Sequence, residues 1–212
     1  MRPLALLLQL SDSALPTGGF SHSFGFEQYL TRGEVHDAAS FSAWLRVYIA
    51  NQLTFTDALL MRLLYDGVPE HELAERAIAC TLPAQVRAAD MAMAKRLRRI
   101  GVDALGVPDT DSEFAHPALE FARITRYFEV PCDDAIVGHL TGTANTLIQN
   151  AVRGIPIGQS DGQLIVAGAH VWIEQARDEV WALDEGDLGM VAPGLEIAQM
   201  QHERLRARMF MS

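Results

Sequence analysis

Three short stretches carry residue types that could do chemistry, and each lacks the residue that the chemistry requires. Gly19-Phe20-Ser21-His22-Ser23 has the outline of a nucleophile elbow, a serine in a glycine turn with a histidine beside it. That elbow needs glycine where Ser23 stands and a strand leading into the turn, which the preceding residues do not supply. His71-Glu72-Leu73-Ala74-Glu75 begins like a zinc-protease helix, but Glu75 occupies the place of the second imidazole ligand. Gly158-Gln159-Ser160-Asp161-Gly162 precedes a helix in the manner of a phosphate cradle. It has no lysine, and the Asp161 carboxylate would repel phosphate, so it reads as a helix start capped by Ser160 or Asp161. The seven histidines (22, 36, 71, 116, 139, 170 and 202) include no pair four residues apart, and no cysteine adjoins any of them. A dedicated metal site within the chain is therefore not expected, and neither is enzymatic activity or a bound cofactor.

What remains is composition suited to contact. In Leu7–Glu27 (LLQLSDSALPTGGFSHSFGFE), Pro16 fixes one backbone angle, while Gly18 and Gly19 tolerate positive φ, so the chain should reverse there. Ser21, His22 and Ser23 follow the reversal, set among Phe20, Phe24 and Phe26. At the other end, Arg204, Arg206 and Arg208 alternate with Leu205 and Ala207 before an apolar Met209-Phe210-Met211. Two readings of this tail stand side by side: it folds back on its own core, or its methionines and phenylalanine dock on another protein.

Helices must position these ends. Residues 4–10 form a first apolar segment, and 24–31 a short helix. Asp37 caps a longer one with Phe41, Trp44, Leu45 and Tyr48 on one face. Helical patterning continues over 57–65 and over 69–80, where Pro69 suits a first turn. A helix after Pro83 carries Lys95-Arg96-Leu97-Arg98-Arg99, read as a solvated face that complements the helix dipole. Gly-, Pro- and acid-rich residues 101–113 predict a loop, followed by a helix over 114–128 that Pro117 would delay. From Cys132 or Asp133 a long helix aligns Ile136, Leu140, Thr143, Ala144, Leu147 and Ala151, and the segment 153–163 breaks it at Gly154 and Pro156. Another aligns Ile165, Ala169, Trp172, Ala176, Val180 and Leu183, then a loop spans 184–194. With no alternating strand pattern and no repeat, the chain reads as all-α: a single-domain bundle over 1–212 of roughly eight to ten helices, with a docking tail at about 195–212. Leu147→Ala and Trp172→Ala should each cost ~2–5 kcal/mol as core truncations.

The totals narrow the function classes. The 212 residues suit one domain, and 49% apolar with 21% charged residues excludes disorder. A mean hydropathy of +0.07 points to apolar surface covered by a partner or a second copy. A net charge of -10 argues against nucleic acid. Cys80 and Cys132 form no CxxC and no disulfide framework, which fits a reducing cytoplasm. No apolar run is long enough to span a membrane. MRPLALLLQL starts like a signal peptide, but Gln9, Ser11 and Asp12 interrupt it and no A-x-A site follows.

Taken in order, the segments 7–27, 153–163 (RGIPIGQSDGQ) and 193–212 (PGLEIAQMQHERLRARMFMS) resemble the UreF family of urease accessory proteins. Met211 departs from the pattern, standing where many members have arginine. The resemblance implies a cytoplasmic, all-α, non-catalytic chaperone that dimerises and binds the accessory protein UreD (also called UreH). Together they would recruit the GTPase UreG, influence its GTP hydrolysis and deliver nickel to apo-urease, with nickel and nucleotide handled mainly by the partners. On that reading Gln201, His202, Arg208 and Phe210 face the UreD-type partner. Phe20, Ser21, His22, Arg153 and Gln159 also belong to contact surfaces, whether for UreD, UreG or a second copy. The competing readings are a generic helical adaptor, a hydrolase using Ser21 and His22, and a self-sufficient nickel chaperone.

Overall fold

Local chemistry sets most helix boundaries in the computed structural model, which describes residues 2–110, 116–189 and 191–212. Those residues form ten α-helical segments and no strand: α1 (Pro3–Leu10), α2 (Phe26–Thr31), α3 (Ala38–Tyr48), α4 (Leu59–Tyr65), α5 (Glu70–Cys80), α6 (Ala84–Leu105), α7 (Pro117–Tyr127), α8 (Cys132–Gly154), α9 (Gln159–Glu179) and α10 (Pro193–His202). The chain is all-α, in agreement with the sequence pattern. Asp37 caps α3 by accepting the Ser40 N–H at 2.8 Å, and the Ser40 hydroxyl accepts from the Asp37 N–H at 3.0 Å. Proline opens α1, α7 and α10 in the first turn, where a missing N–H is not needed.

Three boundaries differ from expectation. α2 starts at Phe26 because Phe24 and Gly25 are both left-handed, with φ of 50° and 96°. α6 runs on to Leu105 and stops at the left-handed Gly106, so the loop expected over 101–113 shrinks to 106–110 among the described residues. Residues 111–113, and the expected helix start at 114, lie outside the described residues. Between α3 and α4 the backbone does not break; a π-helical stretch, Ile49–Ala58, joins them into one rod.

The buried apolar side chains form one contiguous cluster reaching from Leu6 to Phe210. α8 lies within it, packed on α9, α7, α1 and the π stretch. α1 comes so close to α8 that a Cβ at Gly142 would sit 3.1 Å from the Ser11 backbone, and Ser11 Oγ donates to the Gly138 carbonyl at 2.8 Å. This contact fixes where the chain emerges into the glycine-rich loop. Leu147 is fully buried, so Leu147→Ala should lose ~2–5 kcal/mol in chemical denaturation. Trp172 is only half-buried, and its expected cost is corrected to a smaller one.

The basic run of α6 also needs correction, since it is not uniformly solvated. Arg98 Nη2 lies 2.6 Å from the fully buried Glu120 of α7, which Arg123 also engages at 2.9 Å. Arg96 donates to the Thr17 carbonyl at 2.8 Å, tying α6 to the N-terminal loop. Because α6 runs on to Leu105, the run also falls short of its last turn, which holds no basic residue, so it does not complement the helix dipole as expected.

Candidate docking site

The residues after Pro16 turn through Gly18, at φ 90°, into a short 3₁₀ turn, Gly19–Ser21. This leaves the Phe20 ring outside, 58% exposed, while His22 and Ser23 face inward. Of the two readings of the tail, the fold-back is the one the structure takes. Beyond α10 the chain returns over α2, and its last residues lie along the N-terminal loop.

Glu27 organises that return. Its carboxylate is buried and accepts from His202 Nε2 at 2.7 Å, from the Met209 N–H at 2.6 Å and from the Phe210 N–H at 3.2 Å. Phe210 then packs on Phe26, ring centroids 5.3 Å apart, beneath the Arg153 guanidinium at 5.6 Å. Arg153 donates to the Phe20 carbonyl and to Asn150 Oδ1. The Ser212 carbonyl oxygen accepts from the Ser23 N–H at 2.6 Å and the Ser23 hydroxyl at 2.8 Å, and the Met211 N–H donates to the Ser21 carbonyl at 2.7 Å. Asn150 Nδ2 holds the His22 carbonyl at 2.7 Å.

Five of the nine anticipated residues, Phe20, Ser21, His22, Arg153 and Phe210, are thus brought into one patch, and His202 supports it from beneath through Glu27. Phe210 and His202 are buried in their own chain, so they shape the patch rather than protrude from it. Gln201 is exposed and accepts from Arg32; Arg208 and Gln159 are exposed, Gln159 in the first turn of α9. Between this loop and α6 lies a groove of about 430 Å³, lined by Pro16, Phe20, Ser21, His22 and Met211 on one side and Gln85, Ala88, Ala92 and Arg96 on the other. Sequence reading missed Glu27, Asn150 and Ser212. Glu27 left one signal: an acid closing an otherwise aromatic Ser23–Glu27 run.

The geometry does not assemble a Ser21–His22 dyad. His22 Nδ1 lies 2.8 Å from Ser212 Oγ instead. Burial, then the charges of Arg96 and His202, hold the His22 imidazole below its ordinary 6.5. A histidine neutral in the fold but protonated when unfolded withdraws stability as pH falls from 6.5 toward its folded value, with no further loss below that. Tail docking, followed by hydrogen exchange at residues 21–24 and 211–212, should therefore weaken on mild acidification, and His22→Asn should flatten that dependence.

Among the described residues, no three His, Cys, Asp or Glu side chains are placed to hold one metal ion, and no helix is long and apolar enough to cross a membrane.

Comparison with known proteins bears on the same regions. The family model for UreF matches residues 35–170. The urease accessory protein UreF of Arthrobacter sp. (strain FB24) is 44% identical over 215 residues, covering 97% of this chain and 96% of that protein. Its counterpart in Corynebacterium efficiens is 43% identical, with 97% and 95% covered. That of Geobacillus kaustophilus is 41% identical, with 99% and 98% covered. The family-model match ends before the tail and begins after the loop, whereas the pairwise matches run nearly end to end.

Proposed function

Because the chain belongs to the UreF family of urease accessory proteins, we propose that it is a non-catalytic urease-maturation chaperone working in the cytoplasm. With a UreD/UreH-type partner it recruits the GTPase UreG, influences GTP hydrolysis there, and assists nickel insertion into apo-urease. The observation that carries this reading is the composite patch. Both ends of the chain, more than 180 residues apart in sequence, are hydrogen-bonded into one face that presents Phe20 and Met211 outward, with Arg96 along the same groove. An exposed phenylalanine and methionine beside cations suit a protein surface better than a small substrate. Ser21 and His22 do not pair behind them, since His22 turns to Ser212.

A second copy belongs to the same proposal. α9 exposes Leu164 and Val171, one helical stripe apart, with Ala167 and Gly168 between them, and small residues there would let a partner helix approach closely. The test is co-expression of apo-urease, the UreD-type protein and UreG with and without this chain. Urease activity that rises only when the chain is present supports the proposal; equal activation without it refutes the proposal.

A further inference from the structure

Apart from the docking patch, four separate elements each send one titratable side chain to the wall of a cavity of about 120 Å³. They are Asp57 from the π stretch, Asp90 from α6, His116 from the cap of α7 and His139 from α8. The same cavity is lined by Leu15, Thr17 and Gly19 of the N-terminal loop.

The two carboxylates are not equivalent. Asp57 has both oxygens engaged: His139 Nε2 meets Oδ1 at 2.8 Å, and Thr56 Oγ1 donates to Oδ2 at 2.8 Å. Asp90 faces His116, whose Nε2 is 3.9 Å from Oδ2, beyond hydrogen-bond reach. Nor can His116 serve as a cation there. Its Nδ1 accepts the Ala118 N–H at 3.3 Å, which requires that nitrogen bare, and the ring sits at the positive end of α7. Burial accordingly holds His116 below the ordinary imidazole range, even though the Asp57 charge pulls the other way. Burial pushes Asp90 well above the usual carboxylate range, and the Asp57 charge adds to it. Burial alone would push Asp57 up too, but the hydrogen bonds from His139 and Thr56 bring it below. Two further titratable groups line the wall: Asp12, on the N-terminal loop side, and Tyr48 of α3, kept a neutral phenol chiefly by burial.

We propose that these four side chains form a proton-operated latch: Asp90 keeps its proton while Asp57 carries the single negative charge, and removing the Asp90 proton opens the cavity wall toward the N-terminal loop. An acid held more tightly protonated in the closed form releases its proton on opening. The latch therefore weakens as pH rises from the ordinary carboxylate range to Asp90's raised value, and no further above it. The inference does not rest on the proposed function, since its readouts need no partner protein.

The experiment is hydrogen exchange on the full chain, following the amides of residues 15–24 across pH after correction for intrinsic exchange. In the wild type the opening constant should rise by up to about tenfold per pH unit within that window, one proton being released. Asp90→Asn, neutral and of equal shape, should remove that slope. An unchanged slope in the variant, or no slope in the wild type, overturns the latch. Infrared spectroscopy of the wild type about one pH unit above the ordinary carboxylate range gives a second reading that does not depend on the variant folding. A protonated carboxyl band is expected there, and its absence overturns the proposal.

Discussion

Glu27→Ala should release the C-terminal tail and destabilise the protein by about 3–5 kcal/mol, since three buried donors lose their acceptor at a cost of about 1–3 kcal/mol each. The carboxylate is 4% exposed and satisfies three donors, two of them backbone N–H groups of the tail and one the fully buried His202. Without it those donors stay in the core unpaired, and local opening of the tail becomes easier than opening of the bundle. Trypsin at Arg204, Arg206 and Arg208 reads this directly, since cleavage there should accelerate sharply in the variant. Chemical denaturation gives the energy. Glu27→Gln keeps an acceptor for the backbone and should restore part of it. Because the tail shapes the patch, the variant should also lose the UreD-type partner. Deleting 203–212 is a blunter version of the same experiment, for it uncovers Phe26 and strands Glu27, and the helical fold should not survive it unweakened.

Glu120→Ala should cost a similar 3–5 kcal/mol by the same physics while leaving partner binding intact in the fraction that remains folded. Glu120 is fully buried, and its two oxygens take Arg98 Nε at 2.7 Å and Arg123 Nε and Nη2 at 3.0 and 2.9 Å. Removing it leaves two guanidinium groups, each with less than a sixth of its side chain exposed, facing one another across the α6–α7 contact. The pair of variants separates two roles of buried acids. One holds helices together, and the other also presents a surface. Equal loss of partner binding in both would show that only global stability matters.

The contrast between these residues explains what the sequence could and could not disclose. Asp37 was legible as a cap because its partner is three residues away, and the aromatic face of Phe41, Trp44 and Tyr48 because helical periodicity is local. Glu27, by contrast, meets partners 175 or more residues away, and nothing near it in sequence signals them. The Arg98 ion pair leaves no mark near it in sequence, since its partner lies on the next helix. The Gly138-x-x-x-Gly142 spacing was readable as a close-approach stripe and was overlooked, whereas the π stretch left no local mark. Among the anticipated contact residues, Phe20, Ser21, His22, Arg153 and Phe210 were found through motif resemblance rather than through periodicity. Physical reading alone marked both ends as unusual without joining them.

The account turns on the claim that the loop and the tail together make a docking face, and Phe20 tests it most cleanly. Its ring is largely outside the core, so Phe20→Ala should leave stability within about 0.5 kcal/mol, and the backbone carbonyl held by Arg153 is retained. The measurement is the amount of UreD-type protein and UreG that co-purifies with the tagged full chain. At least a tenfold loss of one of them is expected for this variant, as for a truncated aromatic hot spot. Full retention of both would contradict the account.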